Sequence, residues 1–240
     1  MSNLRGSDRD SIDSDLIYLI TKQPKYGKIS KLTPQASQSI DKFTQRDLDE
    51  LLIIYQLHDL QTEDYEDSFM FDLVDLGGNS LPNQILKIKW SFISFSSAIY
   101  YVDEEKDDYL TIDLKRRGDL TETAFATISV LNGTAIIGKD VSSKMAKQVQ
   151  FNAGQNRASW SLKLLKDDLY ERNETLQLEL SEGIHTILDE QIRTNVIILD
   201  EADKARMSFV DREYIVDESI GQVVLKIKRT GDINKNSVVT

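Results

Sequence analysis

One repeat constrains this chain more strongly than any other feature of its sequence. The pattern F-x4-Y-x-V-D-E runs over residues 95–104 and returns, 114 residues later, over residues 209–218. Both copies continue to an R-x-G-D turn, at residues 116–119 and 229–232. A unit of this length is too long for a solenoid repeat and matches a small β domain. The sequence therefore predicts a string of modules, of which one is complete and a second begins near Met207.

The charge of the chain limits its partners. The net charge of -11 disfavours nucleic acid, whose phosphates need a basic face, and it disfavours docking on anionic membranes. Clustered carboxylates suit hard cations such as Ca²⁺ instead. We therefore expect calcium as the bound ion and no nucleic-acid partner.

The residues of common catalytic sites are missing from the sequence. It has no cysteine, its only histidines are His58 and His185, and it contains no GxSxG, HExxH, P-loop or GxGxxG motif. Paired carboxylates such as Asp168 and Glu171 are compatible with glycoside hydrolysis, but no substrate cleft is indicated around them. We therefore expect a protein that is not an enzyme and has no small-molecule substrate.

The ends of the chain indicate a piece of a longer protein. The polar start is not a signal peptide, and the sequence stops within the second copy of the repeat. No apolar run is long enough to span a membrane. Residues 1–14 are expected to form a disordered lead-in.

Strand signals follow Phe95 at the spacing of a β-sandwich. Seven short strands, named A to G, are predicted at residues 98–103, 109–115, 122–131, 147–152, 159–165, 174–181 and 193–199. Turn residues such as Asn132-Gly133 and Glu182-Gly183 separate them. Seven short strands within about a hundred residues are typical of an immunoglobulin-like sandwich, so the expected fold class is all-β.

Strand order predicts that most acidic loops meet at one end of this sandwich. If successive strands reverse direction, the A–B, C–D and E–F loops and the segment after strand G lie at the same end. These segments carry Glu104, Glu105, Asp107, Asp108, Asp140, Asp167, Asp168, Glu171, Glu174, Asp200, Glu201 and Asp203. Like charges gathered in this way repel unless a cation neutralises them. Acids in loops are often simply solvated. The alternating direction of the strands is therefore compatible both with a cation site and with a solvated acidic surface.

The segment before Ile93 resembles a known repeat. The motifs PKYGKI (24–29), FTQRDL (43–48) and D-x-F-x-F (67–71) are similar to the chondroitin sulfate proteoglycan (CSPG) repeat. The resemblance implies a cadherin-like β-sandwich over residues 15–92, in which residues 47–55 enter a strand after a short turn.

Residues 93–203 resemble a Calx-beta domain. The resemblance rests on the pattern at 95–104, on G-T-A-x-x-G-x-D at 133–140 and on D-D-x-x-E-x-x-E at 167–174. It implies calcium ligands at Glu104, Asp140, Asp167, Asp168, Glu171, Glu174 and Asp200, with Glu201 as an acidic near-match. Lys166, with its ammonium against the site, and Ala202 stand where the strongest binders have acids, which implies fewer or weaker ions. Residues 207–240 resemble the start of a second Calx-beta domain, in which Glu218 matches Glu104.

Two short motifs allow further interpretations. Arg117-Gly118-Asp119 spells the integrin-binding tripeptide on a predicted exposed hairpin, but the second copy of the repeat keeps only the Gly-Asp pair of it. The pair therefore belongs to the turn, and integrin binding is the less favoured interpretation. Asn132-Gly-Thr and Asn173-Glu-Thr are glycosylation sequons, and Asn132 is preferred because Asn173 lies among the proposed ligands.

The order of the modules resembles the Fras/Frem family of Fraser-syndrome extracellular matrix proteins. That resemblance implies a large secreted or membrane-tethered protein at the epithelial basement membrane, with a structural role in cell–matrix adhesion and morphogenesis. It implies other matrix proteins or family members as partners, and the tripeptide adds an integrin as a further candidate. The alternative is a cytoplasmic Calx-beta calcium sensor of a sodium–calcium-exchanger type, and the CSPG-like segment argues against it.

Overall fold

Two units make up the computed structural model of the chain, which describes residues 4–9, 12–34, 36–131, 133–167, 169–200 and 203–234. The first unit contains the residues up to Phe92 together with Arg117–Thr121. The second contains Ile93–Arg116 and the residues from Glu122 onward. Both units are built from β-strands, which confirms the predicted all-β fold class.

The first unit is a sandwich of two antiparallel sheets. Its strands are β1 (Ile17–Lys22), β2 (Gly27–Leu32), β3 (Ser37–Ser39), β4 (Lys42–Thr44), β5 (Ile53–Leu57), β6 (Glu66–Val74) and β7 (Ser80–Lys89). The strand orders are β4-β1-β6-β7 and β3-β2-β5. Alternation along β6 buries Asp67, Phe69 and Phe71 on its inner face. The core contains Tyr18, Ile29, Phe43, Leu48, Ile53, Phe69 and Phe71.

A short helix, α1 (Gln45–Asp49), precedes β5. Thr44 and Asp47 form a capping box. Thr44 Oγ1 accepts from the Asp47 N–H at 3.2 Å, and Asp47 Oδ2 accepts from the Thr44 N–H at 3.0 Å. The chain turns at Leu51, whose φ is 56°, and enters β5 at Ile53. The prediction of a short turn followed by a strand is therefore confirmed. No described helix is long and apolar enough to cross a membrane.

Part of the predicted lead-in contacts the core of the first unit. Leu4 packs against that core, and the Gly6 N–H donates to Gln45 Oε1 at 2.9 Å. The same oxygen accepts from the Tyr18 hydroxyl at 2.6 Å. A 3₁₀-helix, Asp13–Asp15, follows. The expectation of disorder does not hold for Leu4 and Gly6, because the buried amide of Gln45 holds this segment in place.

Asp67 is a buried carboxylate that joins two motifs of the first unit. Its Oδ1 accepts from the N–H groups of Lys25 at 3.0 Å and Ser68 at 2.7 Å. Its Oδ2 accepts from the Tyr26 N–H and the Tyr55 hydroxyl, both at 2.8 Å. Burial raises the pKa of Asp67, but these four hydrogen bonds outweigh burial and hold the pKa below its ordinary value. The Asp67 carboxylate therefore joins the motifs PKYGKI and D-x-F-x-F, and both of its oxygens accept hydrogen bonds.

The second unit is a larger sandwich. Its strands are β8 (Ser91–Phe95), β9 (Ile99–Asp103), β10 (Tyr109–Gly118), β11 (Ala124–Leu131), β12 (Gln148–Phe151), β13 (Arg157–Lys163), β14 (Glu174–Ile184), β15 (Ile187–Leu188) and β16 (Arg193–Leu199). The first two residues of β8 and the last two of β10 are assigned to the first unit. The strand orders are β13-β10-β8-β15 and β12-β11-β14-β16-β9. Its core includes Phe95, Ile112, Phe151 and Trp160, all buried. Strand β9 pairs with β16 in parallel, as strand parity requires of strands A and G.

Each of the seven predicted strands has a counterpart from β9 to β16, and two strands were missed. Strand β8 is buried at every residue, so its sequence shows none of the alternation that marks a half-buried strand. Strand β8 also follows β7 with a single residue between them, since β7 ends at Lys89 and β8 begins at Ser91. The other missed strand, β15, has only two residues.

The second copy of the sequence repeat is also a repeat of structure. Its strands β17 (Arg206–Phe209) and β18 (Ile227–Thr230) pair antiparallel, with the 3₁₀-helix Glu218–Ile220 between them. In the first copy the Tyr100 hydroxyl donates to the Asp113 carbonyl at 3.0 Å and accepts from the Asp113 N–H at 3.2 Å. In the second copy the Tyr214 hydroxyl makes the same two hydrogen bonds with Lys226, at 3.2 and 3.1 Å. In each copy the tyrosine therefore links its own segment to the next strand or, in the second copy, to the residue directly before that strand.

Candidate metal site

Strand ends bring the predicted acidic segments to one end of the second unit. The parallel strands β9 and β16 finish side by side, and Glu104 and Asp200 follow them directly. Strand β14 runs antiparallel to β16 and begins at this end with Glu174. The Leu165 N–H donates to the Asp140 carbonyl at 2.9 Å, which joins the loop after β11 to the segment after β13. Four separate connections of the sandwich therefore present acids at the same place.

The G-T-A-x-x-G-x-D motif forms the loop that presents Asp140. Gly133 lies so close to β14 that a Cβ atom there would be 1.9 Å from the Thr175 carbonyl oxygen, so only glycine fits. The Ala135 N–H donates to the same carbonyl at 3.0 Å. Asp140 Oδ2 accepts from the Ile136 N–H at 2.5 Å, and Asp140 is buried. The motif therefore sets the direction of a buried carboxylate.

Asp140, Glu171 and Glu174 form a compact carboxylate cluster. One oxygen from each lies within 4.8 Å of the others. Burial raises the pKa of Glu174 to about 7, together with its hydrogen bond to Asp140 and the charges of Asp140 and Glu171. The Lys139 ammonium lies 2.5 Å from Glu171 Oε1 and 3.4 Å from Asp140 Oδ1. The oxygen spacing fits ligands that share a single cation.

The Asp200 carboxylate is buried but accepts a hydrogen bond on only one of its two oxygens. The residue is 5% exposed. Its Oδ2 accepts from the Glu171 N–H at 2.6 Å, whereas its buried Oδ1 has no hydrogen-bond donor among the described residues. A buried carboxylate oxygen without a donor is unfavourable, because it has lost its water and gained nothing in return. Asp200 therefore needs a cation or another donor beside it.

The pKa of Glu104 is raised by burial and by the carboxylates around it. Burial raises its pKa to about 7, and the charges of Asp200, Asp167 and Asp140 add to that effect, while the Asp167 N–H, which donates to it, opposes them. No ion pair among the described residues includes Glu104, Asp167 or Asp200. Several carboxylates thus share one end with little neutralising charge, which is the electrostatic condition of a divalent-cation site.

Two lysines of this end, Lys166 and Lys139, differ from what the sequence led us to expect. The Lys166 ammonium contacts Asp108 Oδ1 at 3.0 Å and the Glu105 carbonyl at 2.9 Å, so it neutralises the loop between β9 and β10. Lys139 contacts the carboxylate cluster instead, and sequence analysis missed it. The available signal was its position, because Lys139 is a basic residue directly before Asp140 in the ligand loop.

Three predicted residues lie outside the described part of the chain, namely the ligands Asp168 and Glu201 and the sequon asparagine Asn132. Their assignments stay predictions. Asn173, of the second sequon, is exposed in the segment between β13 and β14.

The tripeptide 117–119 is less accessible than an exposed hairpin. Arg117 is half-buried, and its guanidinium donates to the carbonyls of Leu60 at 2.9 Å and Thr62 at 3.0 Å. The guanidinium carbon also lies 4.1 Å from the centre of the Phe92 ring. At Gly118, whose φ is 100°, a Cβ atom would lie 2.6 Å from the Trp90 carbonyl oxygen. These contacts, all within the first unit, give the arginine and the glycine structural roles.

Family comparisons agree with this architecture. The Calx-beta domain model matches residues 89–202 and matches again at residues 200–240. The chain belongs to the Calx-beta family. A cadherin-like family model matches residues 1–90, where the CSPG resemblance lies.

Curated relatives match nearly the whole chain. Extracellular matrix protein 3 of Lytechinus variegatus is 38% identical over 97% of this chain, and the human FRAS1-related extracellular matrix protein 2 is 36% identical over 98% of it. The chain spans only 7% of the length of each of these two relatives. The predicted resemblance to the Fras/Frem family is thereby confirmed. Among solved structures, the calcium binding domain CBD12 of CALX1.1 is 24% identical over 56% of each chain, with a TM-score of 0.44.

Proposed function

We propose that the second unit is a calcium-binding module with a structural role in an extracellular matrix protein. The observation that carries the proposal is Asp200. Its buried Oδ1 has no donor among the described residues, its charge acts on Glu104, and no ion pair in the described part of the chain includes it. A cation at this end satisfies that oxygen and removes the repulsion among the carboxylates.

Calcium suits the donor set better than other common ions. Ca²⁺ takes six to eight oxygen ligands in flexible geometry, whereas zinc favours cysteine and histidine, and the chain has no cysteine. The proposed ligands are Glu104, Asp140, Asp167, Glu171, Glu174 and Asp200, together with Asp168 and Glu201, which lie outside the described residues. We expect an affinity in the weak extracellular range, with Kd of roughly 10⁻⁴ M.

The mechanical effect follows from where the ligands lie. The described ligands belong to the loops after β9 and β11, to the segment between β13 and β14 with the first residue of β14, and to the first residue after β16. Calcium supplies the charge that ties these four connections together, and because the arrangement exists only in the folded chain, binding stabilises that state. Asp200 directly precedes the link to the second copy, so we infer that calcium also stiffens this link.

The matrix role rests on the relatives and on module order. Two relatives that are named as extracellular matrix proteins match the chain across both of its units. We infer a secreted or membrane-tethered parent protein of the basement membrane, acting in cell–matrix adhesion and morphogenesis. Its sandwiches hold binding surfaces at fixed spacing, and its partners are other matrix proteins or family members. The cadherin-like match over residues 1–90 favours this role over that of a cytoplasmic exchanger-type sensor.

Thermal unfolding tests the calcium proposal. In wild type, free Ca²⁺ at about 100 times Kd should raise the melting temperature of the second unit by about 10 °C relative to chelator. Asp200→Asn should lose most of this rise, because the amide no longer offers a buried charge to the ion. Glu182→Gln removes one charge at the opposite, exposed end of β14 and should keep the full rise. An unchanged melting temperature in wild type would exclude calcium binding.

A further inference from the structure

The acids of this end form two groups that differ in the cation beside them. The open group consists of Glu104, Asp167 and Asp200, for which no ion pair is formed within the described residues. The lysine-bound group is the cluster of Asp140, Glu171 and Glu174, which the Lys139 ammonium contacts. The first set of carboxylates therefore has no ion-paired protein cation among the described residues, whereas the second set has Lys139.

The position of Lys139 is set by its own loop. It directly precedes Asp140, and the loop is closed by hydrogen bonds from the Gly138 N–H to the Val141 carbonyl at 2.7 Å and from the Asp140 N–H to the Ile136 carbonyl at 2.9 Å. Its side chain is 39% exposed, so the ammonium reaches the cluster from the solvent side. This short, hydrogen-bonded loop therefore positions the Lys139 ammonium and the Asp140 carboxylate close to each other.

We propose that Lys139 is a tethered counter-cation that competes with calcium for the lysine-bound group. The inference rests on the proposed calcium function and names a regulator of the same site. An ammonium that lies 2.5 Å from Glu171 Oε1 uses the lone pairs that a calcium ion needs, so both cannot use that oxygen fully. The ammonium can leave for water because its side chain is partly exposed. Lys139 therefore weakens calcium binding at this group without blocking it.

The two groups then bind calcium differently. The open group takes an ion without displacing any protein cation, whereas the lysine-bound group first gives up its bond to Lys139. Because Asp140 lies near both groups, the second ion is further weakened by the charge of the first. The wild-type chain is accordingly expected to bind one ion more tightly than the next.

Lys166 provides a matched control. It is a second lysine at the same end, and removing its charge changes the net charge of the chain by the same amount. Its ammonium contacts Asp108 and the Glu105 carbonyl, none of which is a proposed ligand. A general electrostatic effect of removing one positive charge would act in Lys139→Gln and Lys166→Gln alike, whereas competition for the cluster acts only in the first.

Equilibrium dialysis of Ca²⁺ against the full chain tests the proposal. Lys139→Gln should tighten the weaker binding step by roughly tenfold, while Lys166→Gln changes it much less and Lys139→Arg stays close to wild type. In chelator, Lys139→Gln should melt at a lower temperature than wild type, because three carboxylates lose their counter-ion. This second measurement does not depend on calcium.

The outcomes separate the two proposals. Identical binding curves for wild type and Lys139→Gln would overturn the role of Lys139 and leave calcium binding intact. Binding by Lys139→Gln alone would support the role of Lys139 and remove calcium from the function of the natural chain. Absence of binding in every variant would overturn both proposals.

Discussion

Two buried aspartates, one in each unit, show opposite ways of placing a carboxylate inside a β-sandwich. Asp67 is 7% exposed and Asp200 is 5% exposed, so burial is nearly the same. Asp67 accepts four hydrogen bonds, from three backbone N–H groups and the Tyr55 hydroxyl. Asp200 accepts one from Glu171, and its other oxygen has no donor in the described part of the chain.

The two carboxylates differ in whether the protein itself supplies their hydrogen-bond donors. The hydrogen-bond donors around Asp67 hold its pKa below the ordinary value despite burial. The ionised carboxylate is therefore stabilised without a ligand. Around Asp200 the neighbouring groups are acids, and burial with their charges raises the pKa of Glu104 to about 7. The first unit therefore uses a buried carboxylate to stabilise its own fold, whereas the proposed function requires a cation to satisfy the buried carboxylate of the second.

The largest expected effect comes from removing the satisfied carboxylate. Asp67→Ala leaves the N–H groups of Lys25, Tyr26 and Ser68 and the Tyr55 hydroxyl without their acceptor. It should destabilise the first unit by about 3 kcal/mol or more, because unpaired buried donors cost their full desolvation. Urea unfolding followed by Trp90 fluorescence in a Trp160→Phe background measures the loss. Calcium should not restore it, and a calcium-dependent rescue would show that Asp67 also depends on a cation.

An effect of intermediate size concerns pH. Glu104 and Glu174 have pKa values of about 7 in the folded chain, above their ordinary 4.5. Their contribution to stability is therefore fully present below pH 4.5 and is lost as the pH rises through about 7. In chelator, the second unit should lose about 2 kcal/mol between pH 5 and pH 8, an amount already reduced by solvent screening. Urea unfolding followed by Trp160 fluorescence in a Trp90→Phe background measures this loss.

The first unit is the control for this pH dependence. The pKa of Asp67 is lowered by its hydrogen bonds despite burial, so its contribution is present above its ordinary value of 3.8 and is lost only as the pH falls below that value. Trp90 should therefore report constant stability between pH 5 and pH 8. With saturating calcium the loss in the second unit should disappear, since bound calcium favours the ionised carboxylates. Equal pH dependence in both units would show that the carboxylates of the second unit do not differ from Asp67 in this way.

The smallest expected effect comes from one donor of Asp67. Tyr55→Phe removes a single hydroxyl and leaves three N–H donors in place, so it should cost the first unit about 1 kcal/mol. Thermal unfolding measures the change, with Tyr101→Phe as a matched control, because Tyr101 is 62% exposed and should tolerate the change. A loss as large as that of Asp67→Ala would mean that the hydroxyl alone satisfies the carboxylate.

Strand positions were largely predictable, and the reason is local. Strand β10 alternates buried and exposed residues from Tyr109 onward, and that alternation is visible in the sequence. The gathering of acids was also predictable, since counting strand reversals needs only the number and order of the strands. Strand β8 escaped prediction because its residues Ser91–Phe95 are all buried, and no alternation marks such a strand.

The repeat, the all-β class and the end of the sandwich where acids collect follow from periodicity and order along the chain, and the sequence is enough to predict them. Which carboxylates have their hydrogen-bond donors or ion pairs depends on the folded chain. The donors of Asp67 include Lys25, Tyr26 and Tyr55, which lie 42, 41 and 12 residues away in sequence. Likewise, only side-chain positions distinguish Lys139, on the cluster, from Lys166, on Asp108. Hydrogen bonds and ion pairs depend on distances of a few ångströms between residues that the fold, and not the sequence, brings together.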